Sequence, residues 1–104
     1  MAERSGVRSV LEAGRLPALE GALDAARAGV STAGTKLNRE FARLEADGVE
    51  PELVELAHDP QTAGGLLVSL PRERGFGLEA EFARAGVFLA RVGSVVDGAG
   101  VQLV

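Results

Sequence analysis

The chain has 104 residues, 46% of them hydrophobic, and a formal net charge of −4 at pH 7, which bounds it to one domain with one modest core. It contains no cysteine, so a disulfide framework, a thiol nucleophile and a thiolate metal site are all excluded. Ten of its eleven basic residues are arginines scattered along the sequence, without the clustered cations that nonspecific nucleic-acid binding requires.

No apolar run approaches the ~20 residues that span a bilayer, and the N-terminus lacks the basic-then-apolar pattern of a secretion signal. Together these features point to a cytoplasmic protein with no nucleic-acid or membrane partner. Four Phe with no Trp or Tyr imply an aliphatic, alanine-rich core.

In chain order, Val7, Ser9 and Leu11 alternate with Arg8 and Val10, which predicts a strand. Leu16, Leu19, Leu23 and Ala26 recur at helical spacing, with Pro17 near the first turn and Gly29 as the stop. Residues 30–35 are small and predict a loop. Leu37, Phe41 and Leu44 form a second helical stripe, closed by Gly48, with Thr35 or a neighbour as its cap. Pro51 opens a short helix through Leu53, Val54, Leu56 and Ala57.

The run 66–70, Leu-Leu-Val-Ser-Leu, predicts a strand. Pro71 starts another helix with Leu78, Phe82 and Ala85 on one face; Gly75 and Gly77 weaken its first half and Gly86 ends it. Residues 87–96 are strand-like with an interruption at Gly93. The turn at Asp97-Gly98-Ala99-Gly100 predicts a closing hairpin with Val101-Gln102-Leu103-Val104. This order predicts an α+β fold, a mixed β-sheet with helices packed on one face.

The most specific stretch is His58-Asp59-Pro60-Gln61-Thr62-Ala63-Gly64-Gly65. Asp59 and Pro60 favour a turn, and Gly64 and Gly65 allow φ > 0 or a close backbone approach. The loop either brings backbone N–H groups up to an anion or is a plain turn feeding a strand.

Residues 59–67 closely resemble the Asp-Pro-Gln-Thr-Ser-Gly-Gly-Leu-Leu signature of selenophosphate synthetases (selenide, water dikinases). Upstream, Ala33-Gly34-Thr35-Lys36-Leu37-Asn38 resembles that family's Gly-Gly-Thr-x-x-Asn segment. Ala33 stands where Gly is usual and Ala63 where Ser is usual; both keep the loops small, and the second removes a hydroxyl. The first residues, Met1 to Val7, resemble the end of a helix that in the family follows an Asp-Val-Thr-Gly-Phe-Gly motif not present here.

The resemblance implies a single C-terminal-type domain over 1–104, clipped at its N-terminal side, of the kind found in the aminoimidazole ribonucleotide synthetase-like superfamily. The catalytic half that binds ATP and metal is then absent. That half carries the family's reactive Cys or selenocysteine, its lysine and its metal-binding aspartates.

On this reading no residue of the chain is catalytic and none is a metal ligand. The candidates for facing substrate or phosphate are Thr35, Asn38, Asp59, Gln61, Thr62, Gly64 and Gly65. ATP and Mg²⁺ belong to the full-length family, and neither is expected to bind this chain tightly on its own.

Each candidate also has a plainer use. A lone carboxylate such as Asp59 makes a weak Mg²⁺ site and a good turn cap. Gln61 and Thr62 order a loop as readily as they bind a substrate. Thr35 suits a helix N-terminus, which also attracts phosphate. Lys36, the only lysine, suits solvent. His58 has no nucleophile or ligand spacing around it and suits a structural or surface role.

Two functions follow from different classes. The first is the C-terminal domain of a selenophosphate synthetase, which makes selenophosphate, AMP and phosphate from ATP, selenide and water, with this domain walling the nucleotide and phosphate site. The second is a non-catalytic binding or structural module, or a split-gene fragment that needs a partner chain. The expected partners are the missing N-terminal half, in cis or in trans, and further copies of the chain. The signature loop argues against a third member of the same two-domain plan, aminoimidazole ribonucleotide synthetase itself.

Overall fold

The computed structural model describes residues 2–104; a short helix over Ala2–Ser5 lies within the stretch that resembles a helix end, and Met1 lies outside the described residues. Strand β1, Val7–Leu11, is the centre of a four-stranded mixed sheet ordered β2-β4-β1-β3. Strand β3, Gly93–Asp97, runs antiparallel to β1, pairing Val7 with Asp97 and Leu11 with Gly93. Strand β4, Gly100–Leu103, runs parallel to β1 on its other side, and the two-residue β2, Leu44–Glu45, runs parallel to β4. Five α-helices are described with this sheet: α1 Ala2–Ser5, α2 Ala22–Arg27, α3 Ala33–Phe41, α4 Pro51–Ala57 and α5 Arg72–Ala85. The α+β class with a mixed sheet is as expected.

The last two strands do not form the expected hairpin. They flank β1, so residues 97–100 step over its end rather than reverse beside one another. Gly98 at φ 137° and Gly100 at φ 90° supply backbone that side chains rarely adopt. A Cβ on Gly98 would lie 3.2 Å from the Arg8 Cβ. Arg8 holds this arrangement: its Nε donates to the Ala99 carbonyl at 3.2 Å, and its fork reaches past β4 to both carboxylate oxygens of Glu45, at 2.7 and 3.1 Å. A Gly-rich turn carries the same sequence signal in either topology.

Several boundaries move for identifiable reasons. Gly21 takes a left-handed φ of 79°, so α2 starts at Ala22 rather than near Leu16, and Gly29 at φ 80° follows its end. Leu16 instead follows a short 3-10 turn, Ala13–Arg15. Helix α3 begins at Ala33, inside the expected loop, and stops at Phe41; Ala42 is extended, and Leu44 joins the sheet opposite Val101. Helix α4 starts at Pro51 as expected. Helix α5 forms despite Gly75 and Gly77, turns Leu78 and Phe82 partly inward, and ends at Gly86 with φ 65°. Residues 87–92 are not strand; the strand itself begins at Gly93. At Gly93 a Cβ would run into the Val10 carbonyl oxygen.

The run 66–70 is not a strand either. Its sequence suits one, but strand formation needs a partner for the backbone N–H and C=O groups. None is supplied to it by the described residues. Leu66 is 94% exposed.

The core is small. Among the described residues the buried apolar side chains are Ala2, Ala13 and Leu103, and Leu103 is the one large side chain that is fully covered, at 1% exposure. Three main-chain bonds close the sheet around it: Ala13 N–H to Val104 O at 2.7 Å, Val104 N–H to Leu11 O at 2.9 Å and Glu12 N–H to Val92 O at 2.8 Å. Phe41, Phe76 and Phe88 all stand in solvent. The accessible surface is 7854 Å² for 10.7 kDa, against roughly 5,500 Å² for a compact monomer of that mass. The radius of gyration, 14.6 Å, likewise exceeds the roughly 13 Å of a compact domain of this length.

Candidate functional site

The two signature segments meet, although twenty residues separate Asn38 from His58. Helix α3 is capped not by Thr35 but by its neighbour Thr32, whose Oγ1 accepts the Thr35 N–H at 3.1 Å. Thr35 is buried within the first turn and its hydroxyl bonds to that of Thr32 at 2.9 Å. One turn later Asn38 donates its side-chain Nδ2 to the His58 carbonyl at 2.9 Å. His58 ends α4, where main-chain carbonyls have no partner inside the helix, so this bond satisfies one of them and ties α3 to α4.

The ring of His58 is buried as well and bonds through Nδ1 to the Val54 carbonyl at 2.8 Å. A carbonyl only accepts, so Nδ1 carries the proton in that bond. The imidazole therefore locks the helix end, the structural use expected from its sequence surroundings.

Gly34 and Pro60 form the second contact between the segments. A Cβ on Gly34 would stand 2.6 Å from Pro60 Cγ, a separation that real Cβ atoms do not reach. The missing side chain at 34 is thus what lets the loop after α4 lie on the start of α3. Beyond Pro60 the loop tightens on itself, with Gln61 N–H donating to Asp59 O at 2.9 Å and Gly64 N–H to Gln61 O at 3.2 Å. Gly64 serves the close approach: a Cβ there would lie 3.0 Å from the Gln61 carbonyl oxygen. Neither Gly64 nor Gly65 has positive φ, and Gly65 faces open space. The φ > 0 role is therefore not the one these glycines play.

Three of the candidates border two separate clefts, Thr35 one and Asp59 and Gln61 the other. One, of about 510 Å³, is bordered by Val30, Thr35, Lys36, Arg39, Val54 and Glu55. The other, of about 250 Å³, is bordered by Leu16, Leu19, Leu56, Asp59 and Gln61. Thr62, Gly64 and Gly65 are exposed. The Thr35 hydroxyl and the Asn38 Nδ2 are engaged within the protein, whereas Lys36, Gln61 and Thr62 make no side-chain hydrogen bond among the described residues. Among the described residues no three acidic or imidazole side chains gather where one ion could be held, and Asp59 is the one carboxylate among the candidate residues. The donor set does not by itself fit Mg²⁺.

Sequence reasoning missed two ion pairs that stitch the helices. Arg39 on α3 pairs with Glu55 Oε2 on α4, and Glu55 Oε1 is buried with no partner among the described residues. Arg27 on α2 pairs with Glu52 Oε1 at 2.9 Å and with Asp24 at 3.0 Å. A hydrogen bond from its own backbone N–H, and then Arg27, hold the Glu52 carboxyl below its ordinary value of 4.5. No local pattern announces pairs between different helices.

No family model matches the chain. Curated proteins do. Selenide, water dikinase from Trichlorobacter lovleyi is 32% identical over 106 residues, covering 100% of this chain and 31% of that protein. Selenide, water dikinase from Clostridioides difficile is 32% identical over 100 residues, 92% of this chain and 29% of that protein. Selenide, water dikinase 2 from Peptoclostridium acidaminophilum is 32% identical over 94 residues, 88% of this chain and 27% of that protein. The chain belongs to the selenide, water dikinase family. It spans about three tenths of the length of the curated relatives it matches. Within that family segment, the junction of Gly34 and Asn38 with His58 and Pro60 is where its two most specific motifs touch.

Proposed function

We propose that this chain acts as the C-terminal-type domain of a selenophosphate synthetase. In that reading it walls one side of the site where ATP, selenide and water become selenophosphate, AMP and phosphate. The observation that carries this reading is the junction of the two motifs through Asn38 and His58 and through Gly34 and Pro60. The junction fixes the loop 59–65 on the scaffold of α3 and α4, and Gln61 and Thr62 are exposed on that loop. A loop so held can order phosphate oxygens and exclude water from a phosphorylated intermediate, which bulk water would otherwise hydrolyse.

The reactive thiol or selenol, the phosphate-binding lysine and the Mg²⁺ carboxylates belong to the partner half, supplied in cis or in trans. Mg²⁺ there would neutralise phosphate charge. Thr35, Asn38, Asp59, Gln61, Thr62, Gly64 and Gly65 form and support the wall. The compartment is the cytoplasm; no described helix is long and apolar enough to cross a membrane.

Co-expression with an N-terminal half bearing the Cys, Lys and Asp residues tests the proposal. Selenide-dependent AMP formation that needs both halves is the expected result. The chain alone should turn over no ATP. A folded pair that binds without turnover would favour the second reading, a structural module, which the internal engagement of Thr35 and Asn38 also fits.

A further inference from the structure

We propose that the cleft walled by α2, α3 and α4 binds a small carboxylate anion with an aliphatic body. Its volume, about 510 Å³, falls within the roughly 300–1,000 Å³ of ordinary small-molecule sites. Two kinds of surface meet in it. Val30, Val49 and Val54 supply an apolar wall, and Lys36, Arg39 and Glu55 supply the charges.

The charges favour an anion. Lys36 is exposed and takes part in no ion pair among the described residues. Arg39 is half-exposed and gives one Nη2 hydrogen bond to Glu55 Oε2, out of the five donors a guanidinium carries. Glu55 does not offset these cations at the surface of the cleft. One of its oxygens faces Arg39, and the other is buried away from solvent. The charged groups that a ligand can reach are therefore both cationic, in a chain whose net charge is −4.

The balance of charge and the wall together define the ligand. Lys36 and Arg39 against Glu55 leave one positive charge. A carboxylate neutralises it, whereas a phosphate monoester, at about −1.5 to −2 near neutrality, exceeds it. Val30 is 62% exposed in the empty cleft, so an aliphatic body laid on it removes apolar surface from water. Ion pairs fix the spacing of the walls beforehand, Arg27 to Glu52 between α2 and α4 and Arg39 to Glu55 between α3 and α4. A cleft so held loses less freedom when it is filled.

This cleft lies apart from the one that Asp59 and Gln61 border. Thr35 is the one wall candidate that lines it, and the Thr35 hydroxyl is bonded to Thr32. The inference goes beyond the proposed function and is tested without ATP chemistry, so either can fail alone.

Octanoate titrated into the full chain, followed by backbone amide shifts, tests it. Saturable one-to-one binding that moves the amides of Val30, Lys36 and Val54 is expected. Affinity should fall by up to roughly fourfold for each methylene removed on the way to acetate, the worth of a buried CH₂. Lys36→Glu should weaken binding by roughly tenfold or more, because repulsion replaces attraction, and Lys36→Arg should retain it. Lys36 is exposed, so helical circular dichroism should be the same in all three proteins. Uptake that never saturates, an affinity indifferent to chain length, equal binding of octylammonium, tighter binding of octyl phosphate, or a Lys36→Glu chain that binds octanoate as the parent does would each overturn the proposal.

Discussion

Asn38 donates its side-chain amide to the carbonyl of His58 at 2.9 Å, joining helix α3 to the end of α4 across twenty residues. The bond is partly buried, so its loss leaves the His58 carbonyl with a poorer replacement for the donor. Asn38→Ala should therefore destabilise the chain by about 1–3 kcal/mol, the usual cost of stranding a buried polar group. Asn38→Asp should do at least as badly, because a carboxylate has no proton to donate. Chemical unfolding of the two variants beside the parent measures this; unchanged midpoints would remove the bond from the account of the fold.

Gly34 and Gly65 make opposite predictions although both belong to the signature segments. Gly34→Ala places a Cβ against Pro60, and overpacking of this kind costs typically about 1–3 kcal/mol. A gain in helix propensity of up to about 1 kcal/mol works against it, so a modest net loss is expected. Gly65→Ala meets nothing and has no positive φ to strain, so it should leave the melting temperature unchanged. If Gly65→Ala proved the more damaging of the pair, the placement of the loop would be wrong.

Thr32→Ala should cost about 1 kcal/mol, the typical value of an N-cap side chain. The hydroxyl serves both the Thr35 N–H and the Thr35 hydroxyl. Thr32→Ser keeps the oxygen and should recover most of the loss. Helical circular dichroism against temperature separates the three proteins.

How far the sequence was legible depended on whether the deciding partner was local. Strand β1 and helix α4 came out at their expected starts because alternation and an N-terminal proline are local signals. The run 66–70 failed as a strand because its composition states a capacity and only a neighbour realises it. Leu44 failed as a helical residue because Val101 lay waiting in β4. The hairpin failed because β1 enters between the last two strands, and no property of the turn records that. At the site, the roles of Thr35 and Gly34 were hidden for a similar reason. Thr32 and Pro60 decide them.

The Glu52–Arg27 pair gives the chain a pH dependence of known sign. A hydrogen bond from its own backbone N–H and then the Arg27 guanidinium favour the charged carboxylate, so the Glu52 pKa lies below 4.5 in the folded chain. A carboxyl whose value drops on folding stabilises the folded state above its unfolded value and loses that contribution as pH falls through the folded value. Arg27 is shifted upward and stays charged throughout this range, so it adds no pH dependence of its own. Other carboxylates also titrate, and the informative quantity is the difference between parent and Glu52→Gln in the denaturant midpoint. That gap should be widest near neutrality, shrink below 4.5, and narrow with added salt, which screens exposed charges. A gap that grew on acidification would reverse the assigned shift, and a gap indifferent to salt would leave the backbone bond, not Arg27, as the whole cause.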